Sequence, residues 1–222
     1  MPRIVVTGHA SRQLPAERGT VRIALALIGD RREDVLAGAT RLHVLVAGLA
    51  KAQVAQGAAT WWSAGNVIAA AREEWVKPKP NVDAVKVVRF WAGADLQVKF
   101  RDFGALADWS TQVAQHEGVS IGSVAWTLTE PNRAAAVEEV RTAAAEDAVV
   151  RAGAYARALG LGPVRLVTLY EAGLRPHVGA TGGVGQSRRL GASPGSAGGI
   201  ELRPEDVEVA TTVTADFDAD LL

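Results

Sequence analysis

The chain has 222 residues, with 24 Lys plus Arg against 24 Asp plus Glu, so its balanced charge gives no electrostatic reason to expect nucleic acid or an anionic membrane as partner. It contains no Cys, which excludes disulfides, thiolate catalysis and Cys-ligated metal centres. A chain of this length buries roughly 70 to 75% of its unfolded surface, and it needs no metal or disulfide for stability.

The first third of the chain predicts strands around one helix. Apolar residues alternate over residues 3–7 and again over 19–28, which predicts two strands. A helix is predicted over 31–52, where apolar residues recur every three or four positions and Asp30 can act as the N-cap. Residues 59–75 begin as a strand and then lose any clear period.

The middle of the chain has the clearest strand pattern. The sequence KPKPN at residues 77–81 predicts a loop because of its prolines, and a one-sided strand follows over 83–101. Asp102 is the predicted N-cap of a helix that ends near Gly118. A further strand is predicted over 119–128.

A long alanine-rich helix comes next. Eleven of the 28 residues from Asn132 to Leu159 are alanine, the residue that loses least entropy on entering a helix. Asn132 is the predicted N-cap, and Gly160 supplies the stop. The predicted inward face is Val137, Val140, Ala144, Ala148, Ala152, Tyr155 and Leu159.

Two more strands, over residues 162–170 and 207–217, complete the order β-β-α-β-β-α-β-α-β-β. This order predicts an α+β fold in which about three helices pack on one face of an antiparallel sheet. We expect a single domain over 1–222, with a mobile Gly-rich loop at 178–199.

The Gly-rich loop does not complete a phosphate-binding motif. It contains no Lys and no helix is predicted after it, so it is not a P-loop. Arg188 occupies the position of the third glycine in G-x-G-x-x-G. Arg188 and Arg189 are nevertheless candidates for contact with an anion or a partner.

No other pattern in the chain predicts catalysis or metal binding. The four histidines have no paired spacing, and no serine lies in a G-x-S-x-G elbow. Asp216, Asp218 and Asp220 alternate on one strand face but lack the glycine and glutamate of a calcium loop. We therefore expect no catalytic residue, no metal and no cofactor, and we expect that the protein is not an enzyme.

Tryptophan is unusually frequent, with six residues against four Phe and two Tyr. Trp61 and Trp62 are adjacent on a predicted strand, so they must point to opposite faces and one of them lies outside the core. Trp61, Trp62 and Trp91 are thus candidate residues of a subunit interface. A ligand site and ordinary packing are the alternatives.

Four ordered stretches resemble the SIMPL-domain family, proteins known from bacterial envelopes and linked in some cases to oxidative stress. They are IVVTGHA (Ile4–Ala10), VKFRDFGAL (Val98–Leu106), AAAEDAVVRAGAYARALGLGPV (Ala143–Val164) and the closing VEVATTVTADF (Val207–Phe217). The resemblance implies an α+β fold and large homo-oligomers, including ring or channel-like assemblies. It implies no catalytic residues, because the family has no established active site.

The expected function is that of a non-enzymatic, self-assembling SIMPL-type protein, a stress-related homo-oligomer that forms a ring, a channel-like body or a shell. The alternative is a module that binds a small molecule or an anion and is gated by the Gly-rich loop. The expected partner is another copy of the chain, with no nucleic acid and no membrane insertion, since the apolar-leaning stretch 42–55 is too short to span a bilayer. No signal-peptide pattern is visible at the start. This predicts a cytoplasmic protein, or a periplasmic or exported one if a leader has been removed.

Overall fold

The structure, a computed structural model, describes residues 1–76, 83–175 and 202–221. Three helices and eight strands in antiparallel sheets confirm the predicted α+β class. The elements in chain order are β1 (Arg3–Leu14), β2 (Arg18–Gly29), α1 (Arg32–Ala55), β3 (Ala59–Ala64), β4 (Ile68–Val76), β5 (Val85–Phe100), α2 (Phe103–Ala114), β6 (Val119–Thr127), α3 (Glu130–Ala158), β7 (Leu161–Glu171) and β8 (Val207–Leu221).

The strands form two sheets, where the local pattern predicts one. One sheet has the order β1-β8-β7, and the other has the order β3-β5-β2-β6 with β4 also paired to β5. The described chain divides into a terminal unit (1–15, 128–175 and 206–221) and a central unit (16–76, 83–127 and 202–205). The prediction of a single domain over 1–222 stays a prediction.

The terminal unit is built from both ends of the described chain. β1 pairs antiparallel with β8 along its whole length, from Arg3 opposite Asp218 to Leu14 opposite Val207. This pairing extends β1 seven residues beyond the strand predicted at 3–7, because a strand partner more than 190 positions away satisfies the backbone of residues 8–14.

Helix α3 covers one face of this three-stranded sheet with small side chains. Its predicted inward face is only partly right, because Tyr155 and Leu159 are exposed. Its start is also earlier than predicted: the N-cap is Thr129, Pro131 lies in the first turn, and Asn132 is already inside the helix. The buried residues recur strictly every four positions as Ala136, Val140, Ala144, Ala148, Ala152 and Ala156.

Gly8 lets α3 approach β1 almost to backbone contact. A Cβ at Gly8 would overlap the carbonyl oxygen of Ala144 and would lie 2.8 Å from the amide nitrogen of Ala148. Neither of these backbone atoms can move without displacing the helix. The small side chains on the buried face of α3 and the absence of a side chain at Gly8 together allow the helix to pack closely on β1.

The central unit has its core between the five-stranded sheet and helices α1 and α2. Val46 and Ala50 of α1 lie in the same buried cluster as Leu106, Trp109 and Val113 of α2. The strand residues of this cluster are Val21, Ile23, Leu25, Ala59, Leu96, Val98 and Phe100.

The two predicted aspartate caps have different outcomes. Asp102 caps α2 as predicted, since its carboxylate accepts a hydrogen bond of 2.9 Å from the amide of Ala105. Asp30 does not cap α1, whose N-cap is Arg31. The Asp30 carboxylate instead pairs with Arg89 of β5 at 2.9 Å.

β4 is a strand that the predicted element order lacks. Its sequence, IAAAREEWV, has no alternation of apolar and polar residues. All nine residues nevertheless pair with residues of β5. Cross-strand pairing, which a local pattern cannot reveal, therefore forms this strand.

Helix α1 is long and apolar enough, by length and composition, to cross a membrane. Such a helix is weak evidence on its own, because a core helix passes the same test. Four of its residues, Val35, Ala39, Val46 and Ala50, are buried in the central unit. The predicted absence of membrane insertion stays a prediction.

We expect the substitution Gly8→Ala to destabilise the terminal unit by about 3 kcal/mol, because the added methyl group must push α3 away from β1. Gly153→Ala, in the same helix, is the matched control. A Cβ at Gly153 meets only the end of the Arg157 side chain at 3.5 Å, so this change should stabilise the protein by about 0.5 to 1 kcal/mol through helix propensity. Urea unfolding followed by circular dichroism measures both. A Gly8→Ala variant as stable as the wild type would contradict the close approach.

Asp147 of α3 fastens the helix to β1 beside Gly8. Its carboxylate accepts a hydrogen bond of 2.9 Å from the amide of His9 and one of 2.7 Å from Nε of Arg151. The hydrogen bond from His9, and then the one from Arg151, lowers the pKa of Asp147 below its ordinary value of 3.8. The pKa of Asp147 is therefore lower in the folded protein than in the unfolded chain. The ionised carboxylate contributes its full stabilisation at pH values above the pKa of the unfolded state, and this contribution is lost as the pH falls through the pKa of the folded state.

Asp147→Asn should therefore lower the urea midpoint at pH 7 and by the same amount at pH 5. The difference from wild type should shrink as the pH falls below the ordinary pKa of 3.8 and through the lowered pKa of the folded carboxylate. Glu146→Gln is the control, since the exposed Glu146 forms no hydrogen bond or ion pair with any described residue that the structure shows. A difference that persists unchanged at pH 2.5 would rule out the charge as its cause.

Candidate functional site

The five-stranded sheet of the central unit has one face covered by helices and one face without them. Core residues of β5 are the even-numbered ones, such as Leu96 and Val98, and they face α1 and α2. Side chains alternate along a strand, so the odd-numbered residues of β5 lie on the opposite face. The β5 residues that cluster with buried residues of α1 and α2 are Ala92, Leu96, Val98 and Phe100, all on the first face.

Part of this open face is apolar. The register places Ile28 of β2 opposite Trp91 of β5, and Trp91 opposite Ala70 of β4; in the next row Gly93 lies opposite Ile68. Ile28 is 68% exposed and Ile68 60% exposed. These five residues are called the open-face patch.

Trp91 lies along the sheet within this patch. A Cβ at Gly93 would come within 2.9 Å of Cζ2 of Trp91, so the indole ring extends over the glycine. The ring is half-buried in this position. A large, flat apolar side chain held against the backbone is well suited to contact with another apolar surface, because little side-chain entropy is lost on binding.

Next to the patch, β4 and β5 continue as a two-stranded ribbon. Residues 72–76 pair with residues 85–89, and these two segments are called the hairpin arm. Trp75 is 68% exposed, and Val85 and Val88 are each 51% exposed. Exposed apolar residues on a narrow ribbon are a frequent feature of interaction surfaces.

The three predicted interface tryptophans occupy different environments. Trp62 packs against the central core, whereas its neighbour Trp61 is 46% exposed on the open face, with the Lys99 ammonium 5.9 Å from its ring. Their opposite orientation is as the strand geometry predicts. Trp61 pairs with Lys99 and therefore lies about 27 Å along β5 from Trp91. Their interface role stays a prediction.

Trp75 is the exposed tryptophan that the sequence pattern does not single out. It lies in β4, where the alternation that marks a strand is absent. Its exposure follows from the position of β4 on the arm, and no local signal indicates it. The only sequence clue is the excess of Trp over Phe and Tyr.

The predicted anion contacts, Arg188 and Arg189, lie outside the described residues, as do the whole predicted Gly-rich loop at 178–199 and the KPKPN loop at 77–81. The described part of the terminal unit has a cleft of about 310 Å³ between the end of α3 and β7. Arg157 is its only charged lining residue. The apolar lining is Gly153, Ala156, Leu161, Gly162, Pro163 and Val164.

The aspartates at the end of β8 lie on one face of the terminal sheet, and each pairs with an arginine. Asp218 pairs with Arg3 at 3.1 Å, and Asp216, whose side chain is nearly buried, pairs with Arg175 at the same distance. Asp220 pairs with a third arginine, Arg165, at 3.7 Å. The hydrogen bond to Asp218 raises the pKa of Arg3. Among the described residues, no group of three or more acidic or histidine side chains is arranged to hold a metal ion.

Comparison with known proteins gives one finding. A search of curated proteins finds no match. The family model described as SIMPL, protein of unknown function (DUF541), matches residues 4–217 and so extends across both units. The chain therefore belongs to the SIMPL family.

Proposed function

We propose that this SIMPL protein is a non-enzymatic, self-assembling protein that forms a large homo-oligomer, and that the open-face patch is part of the contact between subunits. The observation that carries the proposal is the uncovered apolar face around Trp91, with Ile28 and Ile68 more than half exposed. A ring, channel-like or shell-like form and a stress-related role in bacteria belong to the same proposal, and they rest on the family resemblance.

The composition of the open-face patch supports association. Interface cores are depleted in charged residues and enriched in aromatic ones, and the patch consists of two isoleucines, a tryptophan, an alanine and a glycine. The formal net charge of zero means that no strong long-range repulsion opposes the approach of a second copy. Arg89 and Asp30, beside the patch, neutralise each other at 2.9 Å.

We expect the wild-type protein to elute from a size-exclusion column, with light scattering detection, at a multiple of its 23.2 kDa chain mass. Ile28→Glu should lower that mass, because it places a charge in the centre of an apolar contact. Val44→Glu is the matched control, since Val44 is 64% exposed, close to the 68% of Ile28, but lies on helix α1. A wild-type protein that is strictly monomeric at micromolar concentration would overturn the proposal.

A second proposal is a small-molecule or anion-binding module, supported by the cleft beside Arg157. Nη1 of Arg157 lies near Gly153 at the rim of an apolar cleft, and a guanidinium next to an apolar surface suits a small carboxylate with a hydrocarbon body. A screen of such carboxylates should then raise the melting temperature of wild type and leave that of Arg157→Gln unchanged. If no carboxylate raises the melting temperature of wild type, this second proposal is wrong.

A further inference from the structure

The hairpin arm carries a strand edge without a neighbour. Residues 90–93 of β5 pair with β2 and also with β4, so β2 and β4 lie on opposite sides of β5. The pairing with β2 begins at Phe90. On the β2 side, residues 85–89 therefore have no strand partner within the described part of the chain.

This edge is poorly protected against pairing. Its sequence is Val-Lys-Val-Val-Arg, with no proline, and valine is among the residues that favour strands most. Charged side chains are the common defence of an exposed edge. Here Lys86 pairs with Glu73 at 2.7 Å and Arg89 pairs with Asp30 at 2.9 Å, so both charges are engaged within the same chain.

The other edge of the arm is different. β4 carries three consecutive charged residues, Arg72, Glu73 and Glu74, all of them exposed, and Glu73 is the one that pairs with Lys86. Antiparallel pairing of this edge with another copy of itself about Arg72, Glu73 or Glu74 would set two like charges opposite each other at the axis, which is destabilising. The contrast between the two edges points to residues 85–89 as the side that receives a further strand.

We propose that residues 85–89 pair antiparallel with the same residues of a second copy, about a two-fold axis through Val87. The inference rests on the proposed self-assembly and names one of its contacts. A two-fold contact of this kind uses the same surface on both subunits. It would join the two arms into a four-stranded sheet of order β4-β5-β5-β4.

Strand geometry and charge select this register. In an antiparallel pair, two directly opposite residues either both direct their backbone groups at the partner strand or both direct them away. Two identical strands must therefore pair about a residue and not about a peptide bond. An axis at Lys86 would set two lysines opposite each other, which is destabilising.

An axis at Val88 would use only three unpaired residues, because Phe90 is already bonded to β2. An axis at Val87 uses all five. It sets Val87 opposite Val87, Lys86 opposite Val88, and Val85 opposite Arg89, so no like charges meet.

The pairing would also give the arm additional strands. An isolated two-stranded ribbon is marginally stable at best in water, and three or more strands with an apolar face are needed for independent stability. The arm has only two strands over 72–76 and 85–89, and about half the surface of Val85 and Val88 is exposed. A second copy supplies the missing strands and covers these valines. Five residue pairs form a small interface, so we expect this contact to act together with others in a larger assembly.

Disulfide cross-linking tests the register, because the chain has no cysteine of its own. In Val87→Cys, the two opposite Cα atoms would lie about 4.5 to 5.5 Å apart, within the range that a disulfide spans. In Val85→Cys, the matched control, the two cysteines would be about 14 Å apart, which a disulfide cannot span. Mild oxidation should therefore convert most of Val87→Cys into covalent dimer, at least ten times faster than Val85→Cys.

A second pair of variants covers the case in which Val87→Cys fails to fold. Val85→Cys and Arg89→Cys chains, mixed in equal amounts, should form a covalent heterodimer faster than either forms a homodimer, because these positions face each other in the proposed register. If neither pair cross-links while the wild type is an oligomer, the register is wrong and self-assembly stands. If the wild type is a monomer at micromolar concentration, both proposals are wrong.

Discussion

The packing of α3 against β1 is the constraint on which the terminal unit depends. The side chains between helix and sheet are mostly alanine, and at Gly8 there is no side chain at all. The short distances between Gly8 and the backbone of α3 leave no room for rearrangement, because interiors are close-packed and these backbone atoms cannot move without displacing the helix. The hydrogen bond from the His9 amide to Asp147 fixes the same point in register along the helix. With the helix fixed on β1, the β1–β8 pairing has a covered face, and the two ends of the described chain remain together.

The central unit follows the opposite design, with large side chains in the core and a sheet covered on one face only. Trp109, Phe100 and Leu106 fill the space between its helices and the sheet. The alternation of strands then places another set of residues on the far face, and in this protein that set includes Trp61 and Trp91 in addition to charged residues. In a sheet with one face on the core and one in solvent, the residues on the solvent face are normally polar. The departure from that pattern makes this face, rather than any cleft, the candidate site.

Local patterns predict the α+β class, all three helices and the Asp102 cap, because these depend on residues within one or two turns of each other. Long-range pairing decides what they miss. Residues 8–14 become a strand through β8, and β4 becomes one through β5. The division into two sheets has the same origin. For the site, strand alternation predicts that Trp61 and Trp62 face apart, but it cannot tell which of them is inside, since that depends on where the helices pack. No local pattern indicates that Trp75 is exposed, because the sequence of its strand, β4, does not alternate between apolar and polar residues.

The segment that the sequence pattern predicts least well and the segment with the least intramolecular support are the same. The hairpin arm has no alternation in β4, one strand neighbour for each of its strands over the described residues, and exposed Trp75, Val85 and Val88. Natural sequences are in general locally consistent with their folds, and departures concentrate where function imposes another requirement. The free edge of β5 has three valines among its five residues and no strand neighbour among the described residues. Such a departure has a function if the missing neighbour is a strand of another subunit. The charges differ between the two edges: β4 has three consecutive charged residues, whereas the two charged residues of the β5 edge, Lys86 and Arg89, are each in an ion pair within the chain. Pairing about a two-fold axis at one edge gives a closed contact only if the other edge does not also pair, so charges on the β4 edge favour closure.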